Sequence, residues 1–293
     1  MQECAIVKYN KLIEFKWRRV TMKKLLAVVA AAALGLCMLS GCSGSSYQTV
    51  DQIKEAGKIV MYTDAAFPPF EYTSGDQVLG VDVEIGQEIA KDLGVELDVK
   101  NVKFDSIVPG IQSGKADFGA AGITVTDERK EAVDFSIEYY TSVQYIICKE
   151  GDTYENLSDL TGKTIGVQLG TTGDFLVSDA VNGTEDEETG EHVAGALEGT
   201  GAECKQYANA LEASQDLLNG RIDAVVIDKL PAESIVANNT GIKCVKVGDA
   251  EPESYGICVA KGNTELLDSI NSTLERLQSE GKIEEYVVAH SEA

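Results

Sequence analysis

One short motif occurs twice in this chain, and the repetition narrows the choice of fold more than any other feature. The first copy, Gly114-Lys-Ala-Asp117, follows a segment with helical periodicity and leads into the apolar residues 116–122. The second copy, Gly220-Arg-Ile-Asp223, follows the helical pattern of residues 210–219 and leads into the apolar run 224–227. A helix that ends at glycine before a short apolar run is typical of an α/β unit. The repeat therefore predicts two related α/β lobes.

The remaining periodicity divides the chain between these lobes. Helical and strand-like spacing of apolar residues predicts helices at 50–56, 80–94, 104–114 and 264–290, and strands at 58–63, 95–102, 164–169 and 242–247. Residues 139–143 and 251–255 lie where the chain would pass from one lobe to the other. We therefore predict a first lobe from residues 50–140 and 253–293, a second lobe from residues 141–252, and two crossing segments between them.

Composition excludes several classes of partner. With 293 residues and 44% apolar content, the chain can bury one large core or two modest ones. Its formal charge of -23 is uneven, because residues 1–42 carry 7 basic and 2 acidic residues and the rest carry 18 basic and 46 acidic residues. The large acidic part should repel nucleic acids and anionic lipid head groups.

The amino terminus has the pattern of an export signal. Met22-Lys-Lys precedes an apolar run from Leu25 to Leu39, whose 15 residues fall short of the roughly 20 that span a bilayer. Leu39-Ser-Gly-Cys42 resembles the box that lipoprotein signal peptidase recognises, which implies lipidation of Cys42 and a tether to residue 49. The alternative is an ordinary cleaved signal that contains a cysteine. Residues 1–21 are interpreted as an upstream extension, and residues 22–41 as the signal peptide.

Cysteine and histidine usage gives no indication of a metal or cofactor site. Four cysteines follow Cys42, each in an apolar or alternating run: Cys148, Cys204, Cys244 and Cys258. Three pairings are open to them, but a buried free thiol suits such surroundings, and we predict free thiols. No Cys-x-x-Cys spacing occurs. The acidic segment 182–201 is interpreted as a solvated surface insertion, with a calcium loop as the less favoured alternative.

A cation stands where helix electrostatics disfavours one. Thr126 is a good N-cap, and the acidic residues after it suit the first turn of a helix, whereas Arg129 in the same turn opposes the helix dipole. An anion bound at this turn would remove the conflict, which predicts that Arg129 clamps a carboxylate. The alternative is an exposed arginine paired with Glu128 or Glu131.

The segment from Gly122-Ile-Thr-Val-Thr-Asp-Glu to Arg129, followed by Asp134-Phe-Ser136 and Tyr139-Tyr140, resembles the polar amino-acid-binding proteins that feed ABC importers, extracellular solute-binding protein family 3. The resemblance implies an α/β, two-lobed periplasmic-binding-protein type II (Venus-flytrap) fold with two crossing strands as hinge. It also implies that Arg129 grips the α-carboxylate of the ligand with help from Gly122 and Thr124.

The same resemblance assigns further positions. Asp64 and Phe67 follow a strand that two prolines end, and they would contact the ligand side chain together with Phe104 and Gln168. Thr171 and Thr172 would bind the carboxylate from the second lobe, and Asp228 would bind the α-ammonium. Helix capping is the alternative for Thr171, Thr172 and Asp228, and a local apolar plug is the alternative for Phe67.

Together with these residues, the resemblance implies a receptor that captures a free polar or cationic L-amino acid and delivers it to an ABC permease and ATPase. We expect a monomer that needs no cofactor, is anchored through Cys42 to the outer face of the cytoplasmic membrane, and binds no nucleic acid. The alternative is an enzyme on the same fold, dehydratase-like or lytic transglycosylase-like, with Asp64 or Glu71 as acid or base. The ligand stays open among glutamine, cystine, histidine, lysine and arginine.

Overall fold

Two five-stranded sheets organise the part of the chain that the computed structural model describes, residues 47–186, 188–248 and 250–291. The predicted extension, the signal peptide and Cys42 lie outside these residues. Each sheet belongs to one lobe, and the two lobes together form one compact unit. The structure therefore has the predicted two-lobed arrangement.

The first lobe is built around a mixed sheet of strand order β5-β1-β6-β17-β7. Its strands are β1 (Lys58–Thr63), β5 (Glu96–Asn101), β6 (Phe118–Gly119), β7 (Val133–Phe135) and β17 (Cys258–Ala260), with the added strands β2 (Ala66–Phe67), β3 (Glu71–Ser74) and β4 (Gln77–Leu79). Its helices are α1 (Val50–Ala56), α2 (Val81–Leu93), α3 (Ile107–Gln112), α4 (Asp127–Ala132), α8 (Thr264–Ser279) and α9 (Lys282–Ser291). Strand β1 runs parallel to β5 and β6, while β17 runs antiparallel to β6 and β7.

The second lobe repeats this plan with strand order β13-β10-β14-β9-β15. Its strands are β9 (Gln144–Lys149), β10 (Thr164–Gln168), β13 (Glu203–Tyr207), β14 (Ala224–Asp228) and β15 (Ile242–Lys246), and its helices are α5 (Thr172–Asn182), α6 (Ala210–Leu218) and α7 (Lys229–Ala237). Strand β10 runs parallel to β13 and β14, as β1 does to β5 and β6 in the first lobe. The carboxyl ends of β1 and β10 lead into the loops that carry the candidate site.

The repeated motif has the same structural role in both lobes. The Asp117 carboxylate accepts a hydrogen bond from the backbone N–H of Val60 in β1 at 2.8 Å. The Asp223 carboxylate accepts one from the backbone N–H of Thr164 at the start of β10 at 2.9 Å. In each copy the aspartate fastens the turn after a helix to the neighbouring strand, which explains why the order glycine, basic residue, variable residue, aspartate recurs.

Two short strands connect the lobes. Strand β8 (Tyr140–Ser142) pairs antiparallel with β16 (Glu253–Tyr255), which confirms the prediction of two crossing strands. Tyr255 is fully buried there and packs edge to face on Phe70, with ring centroids 5.1 Å apart. A hinge of two paired strands permits rotation of one lobe against the other.

Two predicted elements have different bounds in the structure. The strand expected over 116–122 is limited to β6, because Gly122 adopts φ +53° and turns the chain out of the sheet. A Cβ at Gly122 would lie 2.8 Å from Cε1 of Phe67, so glycine is required there. The helix expected over 104–114 is one 3₁₀ turn, Phe104–Ser106, followed by α3, whose first turn contains Pro109 and therefore lacks one N–H donor.

The structure also tests the predictions about the cysteines and the acidic insertion. All four cysteines after Cys42 are free thiols, as predicted. The insertion forms a small hairpin of β11 (Thr184–Glu185) and β12 (His192–Val193) that is largely exposed. Within the three described ranges, no group of histidine, cysteine and carboxylate side chains is arranged to hold a metal ion. No helix of those ranges is long and apolar enough to cross a membrane.

Candidate functional site

A buried cavity lies between the lobes where the loops after β1 and β10 face each other. Its walls contain all ten residues that the sequence assigned to the ligand, and they contain Glu71 as well: Asp64, Phe67, Glu71, Phe104, Gly122, Thr124, Arg129, Gln168, Thr171, Thr172 and Asp228. The cavity volume is about 10 Å³, which is room for about one water molecule. The structure therefore brings the predicted residues together in a tightly closed cleft.

Arg129 points into this cleft from α4. Thr126 caps the helix through a hydrogen bond from the Arg129 backbone N–H to its hydroxyl, as predicted. The guanidinium donates to the Thr124 carbonyl at 2.7 Å and, across the cleft, to the Gly170 carbonyl at 3.0 Å. Arg129 is only 8% exposed and forms no ion pair with a described residue, so the alternative of an exposed arginine paired with Glu128 or Glu131 is wrong.

Asp228 supplies the opposite charge from the end of β14. Its carboxylate accepts hydrogen bonds from the Tyr255 hydroxyl at 2.7 Å and from the Gln144 amide at 3.1 Å. Asp228 stands at the N-cap of α7, but its side chain accepts no hydrogen bond from that helix, so the capping alternative is wrong here. It is 5% exposed, and burial together with the nearby Glu253 raises its pKa to about 6.

The electrostatics of this pair indicate a missing partner. Burial lowers the pKa of Arg129 and raises the pKa of Asp228, because the loss of water outweighs the hydrogen bonds and the more distant opposite charges that each group has gained. A buried charge without a counterion is costly. A ligand with one negative and one positive group would relieve both costs.

The end of the cavity near Arg129 is lined by hydroxyl groups from both lobes. The Thr124 hydroxyl donates to the Glu253 carboxylate at 3.0 Å, and the Thr172 hydroxyl donates to the same Oε2 atom at 2.5 Å. The Thr171 hydroxyl donates to the Gln168 carbonyl and accepts from the Asp174 backbone N–H, so it caps α5 as the alternative interpretation held. In the closed cleft, Glu253 therefore binds two hydroxyl groups that the sequence assigned to a ligand carboxylate.

The opposite end is acidic and aromatic. The Gln168 amide donates to the Asp64 carboxylate at 2.8 Å and so connects the second lobe to the first. Burial raises the pKa of Asp64 to about 6. Phe67 forms one buried wall of this end. Half-buried Phe104 instead lies against the Arg129 guanidinium, whose Cζ atom is 5.4 Å from the centroid of the Phe104 ring. An aliphatic stem that ends in a polar or cationic group suits this end.

Glu71 is the wall residue that sequence reasoning left without a binding role. It begins β3 directly after Phe70, is 0% exposed, and has no hydrogen-bond donor to either carboxylate oxygen among the described groups. Its position directly after the turn that contains Phe67 and Phe70 was the available signal. A lone glutamate in a sequence is usually exposed, which is why that signal was weak.

Both histidines of the chain lie elsewhere. His290 in α9 is hydrogen-bonded to the Tyr72 hydroxyl at 2.9 Å, and His192 in the hairpin is paired with Glu198 at 2.8 Å. Neither residue lines the cavity. The acid and base groups within the cavity are therefore carboxylates.

Two α/β lobes, a two-stranded hinge and a buried cleft with separate charges on its two walls define a two-lobed solute-binding protein of periplasmic type II architecture. The model of the bacterial extracellular solute-binding proteins, family 3, matches residues 59–290. The chain belongs to this family, as the resemblance of its motif implied.

Individual relatives agree with this assignment over most of the chain. The arginine-binding extracellular protein ArtP of Bacillus subtilis is 32% identical over 264 residues, which cover 90% of this chain and 96% of that protein. A Streptococcus pneumoniae ABC transporter substrate-binding protein, solved with L-arginine, aligns with a TM-score of 0.74 at 31% identity and covers 84% of this chain and 98% of its own. An ancestral arginine-binding protein, solved with arginine and with glutamine, aligns with a TM-score of 0.69 at 38% identity, and the alignment covers 78% of this chain and 96% of that chain.

Proposed function

We propose that this protein binds a free L-amino acid with a cationic side chain, arginine above all, and delivers it to an ABC importer. The observation that carries the proposal is the pair of buried, mutually unpaired charges in one cleft, Arg129 from the first lobe and Asp228 from the second. In the proposed complex, Arg129 binds the α-carboxylate and Asp228 binds the α-ammonium. The hydroxyl and N–H groups at Thr124 and Thr172 complete the carboxylate site.

The excess of carboxylates supports a cationic side chain. Arg129 is the one cation among the residues that line the cavity, whereas Asp64, Glu71 and Asp228 are acidic, and Glu253 reaches its edge. A zwitterion with a neutral side chain would leave the acidic end unbalanced. Several relatives are named or solved as arginine-binding proteins, and one of them was also solved with glutamine.

Opening and closing of the cleft follow from its volume. An amino acid does not fit into about 10 Å³, so the lobes must separate around β8 and β16 before a ligand can enter. The contacts from Gln168 to Asp64 and from Arg129 to Gly170 would break on opening. A ligand that bridges Arg129 and Asp228 shifts the equilibrium toward the closed form, and that form would be presented to the transporter.

A thermal-shift screen of residues 43–293 against the common amino acids tests the ligand class. Arginine at 100 times its dissociation constant should add about 2.7 kcal/mol to the unfolding free energy. We expect arginine to give the largest shift, then lysine, then glutamine, with no shift for aspartate and glutamate because the cavity is acidic. A largest shift with an acidic amino acid would contradict the proposal. Recovery of chemically altered arginine from the complex would instead favour the enzyme on this fold.

We also propose that the protein is anchored to the outer face of the cytoplasmic membrane through lipidated Cys42 and acts as a monomer with permease and ATPase subunits. Cys42→Ser is expected to move the protein from the membrane fraction to the soluble fraction, because one diacylated residue would supply the whole attachment. Cell fractionation with immunoblotting measures this, and Cys204→Ser should leave the distribution unchanged. Membrane retention of Cys42→Ser would rule out this anchor.

A further inference from the structure

A tyrosine of the hinge contacts the candidate ammonium site from outside the cavity. The Tyr255 hydroxyl donates a hydrogen bond of 2.7 Å to Oδ1 of Asp228. Tyr255 is fully buried and is not among the residues that line the cavity, whereas Asp228 lines it. Burial and the Asp228 charge raise the pKa of Tyr255 well above its ordinary value, so the hydroxyl keeps its proton and acts as a donor. Tyr255 therefore acts on a ligand through the Asp228 carboxylate.

This hydrogen bond joins the two lobes. Tyr255 is held by the first lobe, because its backbone forms a bridge with Thr124 and its carbonyl accepts a hydrogen bond of 3.0 Å from the Tyr139 backbone N–H. Its ring packs on the first-lobe residue Phe70. Asp228, in contrast, ends strand β14 of the second-lobe sheet. The contact thus crosses the cleft, and a rotation that separates the lobes would break it.

The other donor to Asp228 lies within the second lobe. Oδ2 of Asp228 accepts a hydrogen bond of 3.1 Å from the Gln144 amide, and Gln144 lies opposite Asp228 in the pairing of β9 with β14. This bond needs no closure of the cleft. An ionised carboxylate has about four lone-pair sites, so two donors leave others free for an ammonium group. With one donor on each oxygen, the orientation of the carboxylate is fixed.

We propose that Tyr255 is a positioning residue for the ligand α-ammonium, and that it completes the Asp228 site only when the two lobes close. This inference rests on the proposed function. In the open protein, Asp228 is bound by Gln144 and by water. On closure the water leaves Oδ1 and the Tyr255 hydroxyl replaces it, so the buried carboxylate stays hydrogen-bonded while it faces the ammonium. Closure and ammonium binding therefore stabilise each other.

Tyr255→Phe removes the hydroxyl and keeps the ring against Phe70. We expect arginine to bind about tenfold more weakly, because a hydrogen bond to a charged group is lost in the closed complex. The loss should appear as faster dissociation at an unchanged association rate, because the hydrogen bond forms after the ligand has entered. Surface plasmon resonance with the immobilised protein measures both rates, and calorimetric titration measures the affinity.

Tyr140→Phe is the matched control. It removes a hydroxyl from the same aromatic cluster, with ring centroids 5.7 Å from Tyr255, and the described donors to Asp228 do not include that hydroxyl. The affinity and both rates should stay as in the wild type. Wild-type affinity in folded Tyr255→Phe, or a loss confined to the association rate, would overturn the inference and leave the proposed function intact.

A double-mutant cycle with Asp228→Asn assigns the effect to this pair of residues. Asparagine accepts only a weaker, neutral hydrogen bond, so Tyr255→Phe should cost less than about threefold in that background. A loss of about tenfold there would overturn the inference, and this arm decides the question alone if Tyr255→Phe by itself does not fold. Circular dichroism and the melting temperature establish folding. Absence of arginine binding by the wild type would overturn the proposed function together with this inference.

Discussion

Arg129→Met is expected to abolish amino acid binding, with a loss of affinity of about a thousandfold for arginine and for every other ligand that binds. The guanidinium lies in a closed cleft, where its charge-assisted hydrogen bonds to a carboxylate are strong, and methionine fills similar space without a charge. The unliganded protein should fold normally, because Arg129 forms no ion pair with a described residue and methionine suits a buried position. Calorimetric titration and the melting temperature measure the two properties.

Two further variants identify the cause of that loss. Arg129→Lys keeps the charge but removes the planar fork, so we expect binding that is weakened by about ten- to a hundredfold and not abolished. Arg221→Met removes an exposed arginine that pairs with Asp216 in the second lobe, and it should leave affinity unchanged. Wild-type affinity in folded Arg129→Met would exclude Arg129 as the carboxylate clamp.

Asp228→Asn is expected to weaken binding by about a hundredfold or more while it stabilises the unliganded protein near neutral pH. Burial raises the folded-state pKa of Asp228 from 3.8 to about 6, so the folded protein holds this proton more tightly than the unfolded chain does. In the wild type, protonated Asp228 therefore contributes fully to stability below pH 4, and this contribution is lost as the pH rises through about 6. A pKa difference of about two units corresponds to about 3 kcal/mol of unfolding free energy, which the wild type loses when Asp228 ionises. Asparagine does not ionise, so the variant keeps this stability. Imperfect hydrogen bonds to Tyr255 and Gln144 reduce the expected gain to about 2 kcal/mol.

Urea unfolding at pH 4.5 and pH 7.5 measures this difference. The stability advantage of Asp228→Asn over wild type should be small at pH 4.5 and larger at pH 7.5, and exposed Asp268→Asn should show no such change. At pH values below about 6, the affinity of the wild type for any amino acid should also decrease, because the ligand ammonium needs an ionised Asp228. An Asp228→Asn protein that is less stable than wild type at pH 7.5 would contradict the electrostatic explanation.

Local rules predicted much of the fold. The bounds of α1 and β1 agree with the sequence to the residue, because Thr49 and Gly57 cap the helix by local hydrogen bonds and positive φ. Helix α2 lies within the predicted range 80–94, with its apolar stripe buried and Gly94 as its C-cap. Arg129 was identified by its conflict with the helix dipole, which is also a local property. These features depend on neighbours a few residues away and can therefore be read directly from the chain.

The parts that escaped prediction depend on distant residues. Glu253 contacts Thr124, which lies 129 positions earlier in the chain, and nothing in the local pattern around Glu253 indicates that contact. Glu71 differs from an exposed glutamate because the folded protein buries it completely and places Asp82 and Asp64 beside it. The assignment of roles within the cavity likewise needs the two lobes to be placed against each other.

The position of Glu253 on the hinge has a consequence for cargo release. Each hydroxyl group of Thr124 and Thr172 has one proton to donate, and in the closed protein both protons point to the same oxygen of Glu253. An incoming carboxylate must displace this internal anion, so it gains only the difference between two similar sets of hydrogen bonds. Competition from Glu253 therefore limits the affinity for the ligand. A carboxylate on the hinge would in this way favour release of the ligand to the transporter.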